Sequence, residues 1–204
     1  MTQQQGYEAV IAYWFGELTD EMADAQHHQL WFAGGEQADA DIKEKFGLIH
    51  QQLAKGVLKH WQNHDLGRLA SIIVLDQFSR NLYRGTAQAF AYDEQALALA
   101  KEAVAQGVDL RLPLDYRLFM YLPFEHAEDI KEQEHCLALF QGLLEDAKTA
   151  QGQKQAQGYL TFAEQHYDIV RQFGRFPHRN EALGRSSRQI ELRYLAGEHN
   201  RFGQ

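Results

Sequence analysis

The chain has 204 residues, 45% hydrophobic and 12% aromatic, enough to bury a full core without a second domain. Its net charge of −8 argues against nucleic acid as a partner, and its apolar runs fall short of the roughly 20 residues that a bilayer span needs. A single cysteine, Cys136, excludes an internal disulfide framework.

Residues Met1 to Gln5 show no basic stretch followed by an apolar one, so no secretory leader is expected and the chain reads as soluble and cytoplasmic. From there the apolar spacing is helical almost throughout. Tyr7, Val10, Ile11, Trp14 and Leu18 form a first stripe, and Ile42, Phe46, Ile49, Leu53 and Val57 a second. Leu66 to Leu82 is apolar nearly all round, the mark of a central, buried helix. Tyr92 to Gln106 reads as a fourth helix, with Asp93 as its N-cap and Gly107 as its stop. A short helix over Leu114 to Leu122 is expected to start after Pro113 and break at Pro123. Ile130, Leu137, Phe140 and Leu144 line a sixth. The seventh begins near Gln151 to Gln157, carries Tyr159, Phe162, His166, Ile169 and Phe173, and ends at Gly174. Ser186 to Leu195 reads as the last. No segment alternates with period two, so the expectation is a single all-α domain over 1–204. It has about eight helices in antiparallel pairs and no significant sheet.

Two segments carry more chemistry than packing requires. The second half of the third helix places Asp76 and Arg80 four residues apart, on one face, with Asn81 and Arg84 beyond them. Charges on a buried helix are costly unless paired, so this half either opens onto a groove or sits in a polar network. Phe173 to Asn180 packs Arg175, Arg179, His178, Asn180 and two phenylalanines around Gly174 and Pro177, a composition suited to holding an anion. From Arg171 onward there are seven arginines, no lysine and three acids, a charge of +4 that leaves −12 on the preceding residues. Such a tail either docks on the acidic body or lines an anion site, and arginine is the residue for bidentate contacts.

His166 falls in an apolar stripe, where a histidine serves as a hydrogen-bonded core residue or, this close to Arg175, as a proton carrier. Glu125 and His126 follow Pro123 as a possible acid–base pair, while Glu128 and Asp129 read as helix-start residues. One Glu132-x-x-His135 and the pair His27-His28 lack the partners that a metal site needs, and no cofactor motif is present. Cys136 reads as a buried, inert thiol.

The segments Leu75 to Thr86, Ala89 to Asp93, Tyr121 to Asp129, and Phe173 to Asn180 with Leu183 to Arg185 occur in this order. Together with Trp14-Phe15 and Trp31-Phe32 they resemble the bacterial family called domain of unknown function 924, over nearly the whole chain. The family's DQFxRN and FGRFPHRN patterns are intact, and Ser79 stands where proline is common in that family. The resemblance implies an all-helical fold similar to tetratricopeptide-repeat proteins, a right-handed stack of helix pairs with a concave face, and no settled activity.

On such a face the candidate ligand residues would converge. Arg80, Arg84, Arg175 and Arg179 would bind a small anionic or carboxylate-bearing ligand, with Asn81 and Asn180 orienting it, Asp76 and Glu125 also in the site, and His126, His166 or His178 moving protons. An alternative is a helical-repeat module that grips an acidic peptide of a protein partner. A third reading is an arginine network that only locks the C-terminal segment to the central helix.

Overall fold

The computed structural model describes residues 5–197. The expectations about the first residues, and the share of the basic tail carried by Glu198 and Arg201, lie outside the described residues. Within them the chain folds into nine α-helices, with no strand beyond an isolated bridge between Thr19 and Met22. They are α1 (Gln5–Phe15), α2 (Ala25–Ala33), α3 (Gly35–Ala54) and α4, which runs as Asp65–Ile73, a π turn Val74–Phe78 and a final turn Ser79–Leu82. There follow α5 (Asp93–Ala105), α6 (Leu114–Glu125), α7 (Ile130–Asp146), α8 (Ala150–Phe173) and α9 (Gln189–Ala196). No helix among the described residues is long and apolar enough to cross a membrane.

The helix α6 is the axis of the molecule. All its residues except Tyr116 are buried, and it packs against α4, α5, α7 and α8. A helix buried on every side, with Asp115, Arg117 and Glu125 among its buried residues, needs neighbours on every side. Around it gather the largest buried side chains, Trp14, Phe15, Trp61, Phe78, Phe119, Tyr121, Phe124 and Phe140, each worth roughly 1.5–3 kcal/mol of transfer free energy. A satellite cluster of Ile169, Val170, Phe173 and Phe176 ties the end of α8 to the loop that follows.

The helices begin and end where their side chains dictate. Thr149 caps α8 through its hydroxyl, which accepts from Gly152 N at 2.9 Å, and Asp129 caps α7 by accepting from Lys131 N at 2.8 Å. Gly174 closes α8 in the left-handed conformation at φ 70°. A three-residue link, 147–149, folds α7 and α8 back on each other as the most extensive helix pair. Near the start of α4, Gly67 lies against the backbone of Trp61, where a Cβ would sit 2.2 Å from the carbonyl oxygen, so the approach admits no side chain.

Several expectations need correction. Pro123 does not end its helix: α6 continues through it to Glu125, and His126 N donates to Leu122 O at 2.9 Å. A proline in the last turn forfeits one backbone hydrogen bond, a loss that the surrounding packing covers. Asp93 is the first residue of α5 rather than a side-chain cap. Phe162 faces outward at 51% exposure, so the buried stripe of α8 runs through Tyr159, Ala163 and His166. Val57 lies beyond the end of α3 and is exposed, and the last helix starts at Gln189 rather than Ser186. The helix α2 was not expected, because it buries none of its residues and so carries no apolar stripe. The π turn inside α4 is also new, and its extra residue per turn sets the direction of Asp76.

Candidate functional site

The π turn of α4 buries Asp76 to 1% exposure. Arg80, one turn on, places Nη1 3.1 Å from Asp76 Oδ1 and 2.8 Å from the Asp76 carbonyl. On the other side His126, the C-cap of α6, brings Nδ1 within 2.8 Å of the same Oδ1. Burial alone would raise the Asp76 carboxyl, but Arg80 and His126 outweigh it and hold the group well below the usual carboxylate range. An ionised carboxylate only accepts, so His126 carries its proton on Nδ1, leaving Nε2 as the basic nitrogen. The ring is neutral: burial and the Arg80 guanidinium depress its pKa more than Asp76 raises it.

A second carboxyl–imidazole pair lies alongside. His166 Nδ1 sits 2.8 Å from the Phe162 carbonyl, an acceptor, so this ring too is protonated on Nδ1. Glu125 Oε1 is 3.3 Å from the same nitrogen, and the two imidazole rings stand 6.2 Å apart. Desolvation, with Asp76 nearby, pushes Glu125 up to about 8, and burial holds His166 well below its ordinary range. The neighbouring carboxyls are thus driven in opposite directions: Asp76 is ionised and Glu125 keeps its proton at neutral pH. That division is the arrangement from which acid and base roles are built.

Arg179 closes the cluster from the loop after α8. Its guanidinium lies between the rings of Phe176, at 4.4 Å, and Phe90, at 4.8 Å. Nη1 donates to His126 O at 3.0 Å and reaches Asp93 Oδ2 only at 3.4 Å. Asp93 is already taken by Arg80, which grips both its oxygens at 3.0 and 3.1 Å. Among the described residues Arg179 Nε has no hydrogen-bond partner. Burial and the Arg80 charge push this guanidinium down to about 10, against the partial help of Asp93. His178 lies tilted against Phe176 at 5.5 Å, and Arg80 lies over the Phe90 ring.

The structure divides the remaining candidates into two other groups. Asn81 and Arg84 turn toward Asp39 on α3, each with a contact of 2.8 Å, and take no part in the cluster. Arg175 grips Glu191 of α9 through two contacts of 2.8 Å, and Asn180 bonds Ser187 and Glu191. Arg185 holds Glu128, which also accepts from Phe176 N. Glu128 is therefore a clamp for this loop and not a helix-start residue. Arg175 is committed to Glu191. That carboxylate is fully buried and is held far below its ordinary pKa, first by Arg175 and then by Arg188.

This C-terminal clamp has a direct test. Glu191→Ala removes the shared acceptor of Arg175, Arg188 and Asn180, leaving polar groups without partners at a cost of about 1–3 kcal/mol. The expected result is local: proteolysis after 180 accelerates roughly tenfold or more while the core helices keep their melting transition. Equal rates for the two proteins would show that the clamp does not hold α9.

Three participants were not foreseen in these roles: Asp93, Phe90 and Glu191. Asp93 and Phe90 both fall in the Ala89 to Asp93 segment, so their place in the sequence pattern was the available signal. A half-open hollow of about 120 Å³ lies elsewhere, lined by Asp20, Glu21, Leu114, Lys148, Thr149 and Gly152. Among the described residues no three His, Cys, Asp or Glu side chains converge as a metal site would require.

A family model described as bacterial protein of unknown function (DUF924) matches residues 10–199. A solved structure of a protein of unknown function from Agrobacterium tumefaciens is 39% identical, with a TM-score of 0.72, over 81% of this chain and 87% of that one. No curated protein matches significantly.

Proposed function

We propose that this chain, which belongs to the DUF924 family of bacterial proteins of unknown function, binds a small carboxylate- or phosphate-type anion between Arg80 and Arg179. One observation carries the reading: the charge of Arg179 is buried and under-served. Its ion pair with Asp93 is long, that carboxylate is engaged by Arg80, and its Nε lacks a partner among the described residues. A guanidinium in that state gains from an incoming anion that accepts two hydrogen bonds at once. The anion would take over part of the role of Asp93, at 19% side-chain exposure the more open partner, with Phe90 and His178 at the rim. The two carboxyl–imidazole pairs then lie within reach as proton carriers.

Ligand binding and a purely structural network predict opposite results for Arg179→Met. In a structural network the loss costs several kcal/mol, because a needed charge disappears. In an anion site it removes a poorly compensated buried charge and keeps the apolar stem, so stability holds within about 1 kcal/mol. Sulfate, phosphate and succinate are the probes. At ten times its Kd a ligand adds about 1.4 kcal/mol, a rise of roughly 3–5 °C in Tm for a domain of this size. The wild type is expected to show that rise with at least one of them and Arg179→Met with none. A variant that responds like the wild type sinks the reading.

A further inference from the structure

We infer that an anion entering between Arg80 and Arg179 brings one proton into the protein, taken up on His126 Nε2, so that the ligand is held by two guanidiniums and an imidazolium. The inference deepens the anion site proposed above and rests on it.

The geometry around His126 carries it. The imidazole is bound at Nδ1 to Asp76, so Nε2 alone can take a further proton. The residue is tied to the anion site directly, because its own carbonyl accepts from Arg179 Nη1 at 3.0 Å. Every charged or titratable neighbour can be named. Asp76 and Arg80 face it from α4, His166 from α8 and Arg179 from the loop, with Glu125 beside it on α6 and His178 beyond His166. Asp76 favours an imidazolium, while Arg80 and Arg179 oppose it together with burial. Glu125 stays protonated and adds no charge below its own titration near 8. An anion between the guanidiniums offsets the two charges that join burial in keeping His126 neutral, so that Asp76, ionised and 2.8 Å from the ring, is then opposed by burial alone. The proton comes from solvent, and the net result is binding of an anion together with a proton.

Sulfate is the probe, because it does not itself titrate between about pH 5.5 and 7.5, a window below the titration of Glu125. In calorimetric titrations the wild-type affinity should rise as pH falls, approaching tenfold per pH unit for one linked proton. The heat should also depend on the ionisation enthalpy of the buffer. His126→Gln should bind sulfate with an affinity independent of pH, while His166→Gln should keep the slope. If His126→Gln does not fold, the buffer dependence of the wild type and the His166→Gln slope still decide. Sulfate binding that is flat in pH, with buffer-independent heat, overturns this inference and leaves the anion site standing. A slope that survives in His126→Gln, or is lost in His166→Gln, overturns it too. If sulfate gives no heat at any pH, the anion site falls and the inference with it.

Discussion

Asp76→Asn is expected to lower stability by about 3–5 kcal/mol, among the largest losses that a single isosteric change can cause here. The substitution keeps the shape and removes one charge. That charge is what compensates Arg80 on the α4 side, orients His126 through Nδ1 and accepts from Gln77. Without it Arg80 leans on Asp93 alone, which Arg179 also approaches. The cost is that of an uncompensated buried cation, not of one lost hydrogen bond. For a domain of this size it corresponds to a fall of roughly 10 °C in Tm. Asp93→Asn, at a half-open site, should cost less. Urea unfolding of both variants checks the order, and a loss below about 1 kcal/mol for Asp76→Asn would remove Asp76 from the centre of the cluster. The double variant Asp76→Leu with Arg80→Met provides the control: removing both charges should recover much of what the single change loses.

The helices were legible because apolar spacing reports burial directly. The stripes of α1, α3 and α8, and the continuously apolar α4, match most of the buried residues, whereas α7 buries Gln133, Cys136, Phe140 and Leu143, so that of its expected stripe only Phe140 is fully buried and Ile130 is exposed. What spacing could not show is geometry that departs from the regular helix. The π turn of α4 leaves no mark in the apolar pattern, yet it places Asp76. Pro123 reads locally as a stop, yet packing on four sides carries α6 two residues further, and those residues set Glu125 and His126 facing α4 and α8. Of the site, Asp76, Arg80, Arg179 and the histidines were visible as residue types out of place in apolar surroundings. Their partition was not. Whether Arg175 or Arg179 faces the cluster depends on a 3-10 turn over Pro177–Arg179, which buries Arg179 and leaves Arg175 to Glu191. The acids that choose among the arginines, Asp39, Asp93, Glu128 and Glu191, lie up to 86 residues away in sequence.

That partition assigns four of the basic-tail arginines to different tasks. Arg175, Arg185 and Arg188 each meet a carboxylate that accepts them well, and their task is to fasten the last helix. Arg179 has only a shared and distant one. The two situations differ in what a charge gains: a well-paired surface arginine is near its best environment, whereas a buried and shared one still has free energy to recover from a third party. The eight residues that hold both kinds of arginine thus combine a fastening with a buried, poorly paired charge.

Stability should pass through a maximum near pH 7 and fall by roughly 0.5–1 kcal/mol toward pH 8.5, and Glu125→Gln should abolish that alkaline limb. Glu125 titrates near 8 when folded and near 4.5 when unfolded. Between those values the native state holds a proton that the unfolded chain has lost, so stability declines as pH rises, by at most about 1.4 kcal/mol per unit, and the contribution is gone above 8. The histidines act with the opposite sign. His126, His166 and His50 all have folded pKa values depressed by burial, so below about 6.5 the unfolded chain takes up protons that the native state refuses. Stability is therefore lost as pH falls through that range, and three histidines outweigh the one carboxyl that gains. Above about pH 7 the histidines are mostly neutral in both states and Glu125 dominates. Asp76 and Glu128 stay ionised throughout this window and enter only in acid. Urea unfolding at intervals from about pH 5 to 8.5 measures both limbs. Glu125→Gln keeps a neutral, hydrogen-bonding side chain beside His166, so it should flatten the profile above about pH 7 and leave the acid limb in place. A wild-type profile that is level from about pH 7 to 8.5 would mean that Glu125 is ionised in the native protein, and the division of labour between the two carboxyl–imidazole pairs would fall.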